Sequence, residues 1–182
     1  DVTSDDPRGW RLGGGVSYSA LTTARLGLRT AALVGVDREA AGARELELLR
    51  EAGVDVQLVP LDHGPVFVNI ERPEGRLQLC RDRSEPVPVT AVPPAWRSAR
   101  GWIFAPVAGE LPDAWATVPR DDAIVAVGWQ GLLRELVPGE PVHHVTPART
   151  PILGLLDVLG ADPHWQTLDP SQRRRQARCR RS

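Results

Sequence analysis

Three short apolar runs constrain the fold of this 182-residue chain more than any other feature of its sequence. The segment from Thr30 to Val36 is apolar and flanked by polar residues, and similar runs recur at 102–107 and 123–128. Runs of this length without alternation are typical of strands that are covered on both faces of a parallel sheet. They predict that the core is built on buried parallel strands.

Helical patterns lie between these runs. Residues 16–26 and 40–52 each place apolar side chains at helical spacing, and Gly53 follows the second segment where a helix-ending glycine belongs. Alternating buried strands and amphipathic helices predict an α/β fold with a mostly parallel sheet flanked by helices.

One segment departs from this rhythm. Residues 66–71 alternate apolar and polar side chains, residues 73–75 form a turn sequence, and the alternation resumes at Leu77 and Leu79. This pattern predicts a small antiparallel hairpin at about residues 64–82. A two-faced hairpin in an α/β chain is typical of a lid at the sheet edge.

Charge and cysteine content exclude several functional classes. The formal charge is -1, from 22 basic and 23 acidic side chains, so no overall field attracts nucleic acid or an anionic membrane. The distant pair Cys80 and Cys179 argues against a disulfide framework and a zinc site. The sequence shows no signal-peptide pattern and no apolar stretch near 20 residues. These features predict a cytoplasmic protein.

A run of three glycines, residues 13–15, precedes the first predicted helix, where backbone N–H groups can meet an anion or a polar ligand. Every basic residue is arginine, so the lysine of a Walker loop or a protein kinase is missing. A Rossmann fingerprint would need its third glycine at Tyr18. The alternative is a tight turn that leads into the helix.

The order of motifs resembles the N-terminal signature of PfkB family, ribokinase-like carbohydrate kinases over about residues 1–145. The matching segments are Gly13-Gly14 before a helix, residues 24–28, the strand end at 34–37, and residues 42–56. The resemblance implies a partial ribokinase-like fold over 1–146 with the hairpin as its lid. Residues 147–182 are then an atypical, disordered, arginine-rich tail.

The resemblance also implies a substrate site. Asp1 matches the aspartate that accepts sugar hydroxyls, and Gly13 and Gly14 match the pair whose backbone approaches the sugar. Tyr18 stands where the family often has asparagine and is a candidate for stacking or donating. Glu110 is a candidate substrate contact, with an ordinary helix-start acid as the alternative.

The activity implied by the resemblance is transfer of the γ-phosphoryl group of ATP, with Mg²⁺, to a hydroxyl of a sugar or nucleoside. The family's catalytic G-A-G-D segment is absent, since Gly160-Ala161-Asp162 lacks the second glycine, and no N-x-x-E follows Val145. We therefore expect a kinase fragment that is inactive by itself, with no catalytic or metal-binding residues of its own.

Two alternatives remain open at this stage. The chain is a non-catalytic sugar- or nucleoside-binding remnant, or it forms a homodimer through the lid hairpin. His143 and His144 lie on a predicted strand and point to opposite faces, so they do not share a metal. The arginine-rich tail is interpreted as a solvated terminus in preference to an RNA- or lipid-binding arm.

Overall fold

The computed structural model describes residues 1–3, 6–73 and 75–160. Two α-helices and nine β-strands, joined by turns of 3₁₀-helix, make up this part of the chain. In chain order they are α1 (Gly15–Arg25), β1 (Ala31–Val36), α2 (Arg44–Glu51), β2 (Asp55–Pro60), β3 (Val66–Arg72), β4 (Gly75–Asp82), β5 (Gly101–Phe104), β6 (Ile124–Gly128), β7 (Arg134–Glu135), β8 (His143–His144) and β9 (Val158–Gly160).

The first layer consists of β1 and β2, which pair in parallel, with α1 and α2 packed against them. Leu46 and Leu49, three residues apart on α2, are fully buried in this layer. Gly53 ends the helix region with a φ of 81°, a left-handed conformation that glycine adopts without strain. The predicted strand over Thr30 to Val36 is confirmed, and β2 lies beside it.

The second layer is a parallel sheet in the order β5-β6-β9. Its core includes Phe104 and Trp115, whose rings meet edge to face at 6.0 Å between centroids. Ile152 is buried in the same core, and Val158 of β9 pairs with Ala126 of β6. The tail predicted from the sequence begins at residue 147, so Ile152 and Val158 belong to it, and both are packed in this second layer. The arginine-rich segment lies outside the described residues.

The predicted hairpin is confirmed, because β3 and β4 pair antiparallel from Val66 and Asp82 to Arg72 and Gly75. The α/β class is likewise confirmed. The parallel strands differ from the expected single sheet in one respect, since β1-β2 and β5-β6-β9 are separate sheets in the part of the chain that the structure describes. An open cleft lies between them.

Helix boundaries differ slightly from the sequence prediction. The second helix starts at Arg44 and not at Ala40, because residues 40–42 form a turn of 3₁₀-helix whose first amide is held by the Asp37 side chain at 2.8 Å. None of the helices in residues 1–3, 6–73 and 75–160 has the length and apolar character needed to cross a membrane.

Candidate functional site

The cleft between the two parallel sheets has a volume of about 1570 Å³ and opens beneath the β3-β4 hairpin. The residues that line it include the chain start, the glycine turn before α1, strands β1 and β5, the hairpin, and the loops that follow β5. It contains all five residues proposed from the sequence, namely Asp1, Gly13, Gly14, Tyr18 and Glu110.

Asp1 and Gly13 are in direct contact at one end of this cleft. The Asp1 carboxylate lies so close to the Gly13 Cα that a side-chain carbon at position 13 would overlap Oδ2 and lie 3.3 Å from Cγ. Only glycine therefore fits beside this carboxylate as it is placed. The structure thus brings together the acid and the first glycine of the proposed pair.

The hairpin contributes two amide side chains that sequence reasoning missed. Asn69 on β3 donates from Nδ2 to Asp1 Oδ1 at 3.4 Å, and Gln78 on β4 donates from Nε2 to Asn69 Oδ1 at 2.7 Å. Asn69 and Gln78 are directly opposite each other in the hairpin register. The result is a row of polar groups from the hairpin to Asp1.

The amino group of Asp1 lies beside the same row. It donates to the Arg11 carbonyl at 3.0 Å, and the Arg11 amide donates back to the Asp1 carbonyl at 2.9 Å. Partial burial, followed by the charge of Arg11, lowers the pKa of this amine, while Glu45 opposes the shift. Two hydrogen bonds with the Arg11 backbone, one from the Asp1 amine and one to the Asp1 carbonyl, therefore fix the Asp1 main chain on either side of its Cα.

Gly14 and Tyr18 have different surroundings. Gly14 is the residue before α1 and has a φ of 99°, which disfavours any side chain there. Its amide group lies at the start of the helix, on the cleft wall. Tyr18 lies one turn into α1 with its side chain 67% exposed, so it borders the outer part of the cleft.

Glu110 already has partners within its own loop. Its two carboxylate oxygens accept hydrogen bonds from the amides of Val107 at 2.8 Å and Ala108 at 2.7 Å. The carboxylate thereby holds the loop after β5 in shape at the cleft wall. This geometry favours a positioning role for Glu110 over direct contact with a ligand.

No group of three or more histidine, cysteine or acidic side chains in the described part of the chain has the arrangement of a metal site. His143 and His144 are both exposed on β8.

No protein-family model matches the sequence, and no curated protein gives a significant match. Solved structures do match. One is a pyrophosphate-dependent kinase in the ribokinase family complexed with a pyrophosphate analog and myo-inositol, with a TM-score of 0.67 and 23% identity. The match covers 82% of this chain and 53% of that one.

Two further solved structures also match this chain in fold. A sulfate complex of a pyrophosphate-dependent kinase in the ribokinase family matches with a TM-score of 0.59 and 23% identity, over 72% of this chain and 47% of that one. A pyrophosphate-dependent myo-inositol-1 kinase, converted into a myo-inositol-3 kinase by two leucine substitutions, matches with a TM-score of 0.66 and 21% identity. That match covers 82% of this chain and 51% of the other.

The chain spans about half the length of these solved structures. At this identity the likeness concerns the fold. The chain therefore has the fold of the ribokinase family of kinases.

Proposed function

We propose that this chain forms the acceptor-binding part of a small-molecule kinase and that its ligand is a polyol ring, such as a cyclic polyol or a sugar. One observation carries the proposal. The Asp1 carboxylate, the Gly13 backbone and the Asn69 and Gln78 amides of the hairpin converge in a single cleft.

The chemistry of these groups suits adjacent hydroxyls. A carboxylate accepts hydrogen bonds from two hydroxyls at once, whereas an amide both donates and accepts. Asn69 donates to Asp1, and a ring hydroxyl that enters between them can replace that 3.4 Å contact with shorter hydrogen bonds. Gln78 holds the Asn69 amide in its orientation.

The ligand found in a structural neighbour supports this choice. The solved kinase with a TM-score of 0.67 holds myo-inositol together with a pyrophosphate analog. A second neighbour changes from a myo-inositol-1 kinase to a myo-inositol-3 kinase with two leucine substitutions, as its name states. A cyclic polyol is therefore the first ligand to test.

The phosphate donor is a separate matter. The sequence resemblance implies ATP with Mg²⁺, whereas the structural neighbours depend on pyrophosphate. Neither the G-A-G-D segment nor a lysine occurs in the sequence. We assign this chain the acceptor side of the reaction, and we expect it to transfer no phosphoryl group by itself from either donor.

Calorimetric titration with myo-inositol, ribose and adenosine tests the acceptor site. We expect saturable binding of at least one of them, and a loss of about 10- to 100-fold in affinity in Asp1→Asn and Asn69→Leu, since each removes a hydrogen bond to a charged or polar partner. Asp121→Asn is the matched control, because Asp121 is exposed and lies outside the cleft. Equal affinity in all three variants would refute the site.

Phosphoryl transfer is measured separately by ³¹P NMR, with ATP or pyrophosphate as donor and myo-inositol as acceptor. We expect no phosphomonoester product. Steady turnover by the 182-residue chain would show that it holds catalytic groups that the proposal does not recognise.

A further inference from the structure

The segment that follows β6 brings an arginine and a glutamine to the cleft. Residues Trp129–Leu133 form a turn of 3₁₀-helix, and β7 begins at the next residue, Arg134. Gln130 and Arg134 both line the cleft, although neither was a candidate from the sequence. The hydrogen bonds that define the acceptor site include neither of them.

Gly131 fixes the position of this turn. Its amide donates to the Pro106 carbonyl at 2.8 Å, and a side-chain carbon at position 131 would overlap that carbonyl group and the Val107 amide nitrogen. Only glycine therefore fits against this backbone. The Glu110 carboxylate accepts from the Val107 amide and holds the same loop in shape. The turn that leads into Arg134 is thus packed on a rigid support.

The direction of the Arg134 side chain follows from its place on β7. Side chains alternate along a strand, and Glu135 is exposed, whereas Leu136, directly after β7, is buried in one cluster with Phe67. Arg134 shares the inward side with Leu136. Its guanidinium carbon lies 5.6 Å from the centroid of the Phe67 ring, a distance at which the ring attracts the cation. The Phe67 ring therefore helps to hold the guanidinium at the cleft wall.

Phe67 stands beside the acceptor groups on the hairpin. Phe67 and Asn69 are two residues apart on β3, so they share one face of the strand and are separated by about 7 Å along it. Asn69 donates to Asp1 at 3.4 Å. A ring bound by Asp1 and Asn69 would therefore have the Arg134 guanidinium within reach of one of its substituents.

A guanidinium suits an anionic substituent better than a hydroxyl. It carries five N–H donors in a planar fork and no acceptor, and this fork matches two oxygens of a phosphate or a carboxylate. Arg76 also lies on the hairpin, but it is 60% exposed and forms an ion pair with Glu71 at 2.6 Å. Arg134 is only half-buried and lies nearer to the acceptor groups.

We propose that the acceptor carries an anionic substituent, a phosphate or a carboxylate, on its polyol ring. The Arg134 guanidinium binds this substituent, while Asp1 and Asn69 bind hydroxyls of the ring. The inference rests on the proposed function, because it names the substrate class of the same acceptor site. Arg134 is thereby a residue that determines specificity, with no part in the transfer of the phosphoryl group.

Matched pairs of ligands test this inference by calorimetric titration of the 182-residue chain. Ribose and ribose 5-phosphate differ by one phosphate, and glucose and glucuronate differ by one carboxylate. We expect at least one charged ligand to bind about 10- to 100-fold more tightly than its neutral partner, because a hydrogen bond to a charged group contributes more than a neutral one. Added salt should reduce this preference.

Substitutions of Arg134 assign the preference to its guanidinium. In Arg134→Gln the preference should fall to about twofold or less, while the affinity for the neutral ligand stays within about twofold of its original value. A residue that only supported the fold would weaken both ligands equally. Arg134→Lys keeps the charge but loses the planar fork, so it should retain part of the preference. Arg120→Gln is the matched control, because Arg120 is 53% exposed, pairs with Asp122 and lies outside the cleft.

The melting temperature of each variant is measured on the same samples. If Arg134→Gln does not fold, the comparison of charged and neutral ligands in the unchanged chain and in Arg134→Lys decides the question. A lysine variant that is folded and keeps the whole preference would show that the fork is not what binds the anion, which would contradict the inference.

The other outcomes separate this inference from the proposed function. Equal affinity for charged and neutral ligands, or a preference that survives Arg134→Gln, would overturn the inference and leave the polyol site intact. Pyrophosphate that binds as tightly as the charged sugar, and loses its affinity in Arg134→Gln, would assign Arg134 to the phosphate donor and would also overturn it. Absence of binding by all four sugars would refute the proposed function and this inference together.

Discussion

The substitution Gly13→Ala tests the contact on which the acceptor site depends. The added methyl group would overlap Asp1 Oδ2, so the carboxylate must rotate away from Gly13 and from Asn69. A side chain forced about 30° from its rotamer costs about 0.5–1.5 kcal/mol, so the fold should survive with a small loss of stability. Ligand binding should suffer more, because a hydrogen bond to a charged group contributes about 1.5–3 kcal/mol.

Calorimetry with myo-inositol and urea unfolding, run on the same samples, separate the two effects. We expect affinity to fall by about 10- to 100-fold while the free energy of unfolding changes by no more than about 1.5 kcal/mol. Gly42→Ala is the control, because a methyl group at Gly42 meets nothing within 4 Å. Unchanged affinity in Gly13→Ala would refute the reasoning, since the carboxylate could then move without consequence for the ligand.

Three further predictions concern the fold around the site. Arg8 donates to Glu45 at 2.7 Å and lowers the pKa of that carboxyl. The stability from this ion pair is therefore present above the ordinary glutamate pKa near 4.3 and is lost as the pH falls below it. Arg8→Gln should therefore make the melting temperature depend less on pH between about pH 6 and 3. Leu46→Ala removes a fully buried side chain and should cost about 2–5 kcal/mol by urea unfolding, whereas Leu48→Ala, at a site 46% exposed, should cost much less. Trp115→Phe should cost about 1–3 kcal/mol by the same measurement, because the indole N–H donates to a backbone carbonyl at 2.7 Å in the core.

The elements that the sequence predicted best are those with a strong local signal. The apolar run at β1 and the alternation in the β3-β4 hairpin each indicate one kind of strand, and the structure has both. β2 was missed because its exposed residues, such as Asp55 and Gln57, interrupt the apolar pattern expected of a doubly covered strand. β9 has only three residues, too few for any periodicity.

The candidate site could be predicted only in part. Asp1 and Gly13 were selected through a motif resemblance, and their contact is present in the structure. Asn69 and Gln78 carry no local sign of function, because polar residues at alternate positions of a hairpin ordinarily face solvent. Their importance depends on a contact between residues 68 positions apart, which no pattern within either segment encodes.

The attachment of Asp1 determines how the site can move. Val2 pairs with Val68 of the hairpin and donates its amide to the Phe67 carbonyl at 2.8 Å, so the carboxylate is anchored to the base of β3. Gly13 leads into α1 through the left-handed Gly14. A movement of the hairpin would therefore carry Asp1 with it and bend the chain near Gly14. Opening of the hairpin would then separate the Asp1 carboxylate from the glycine turn.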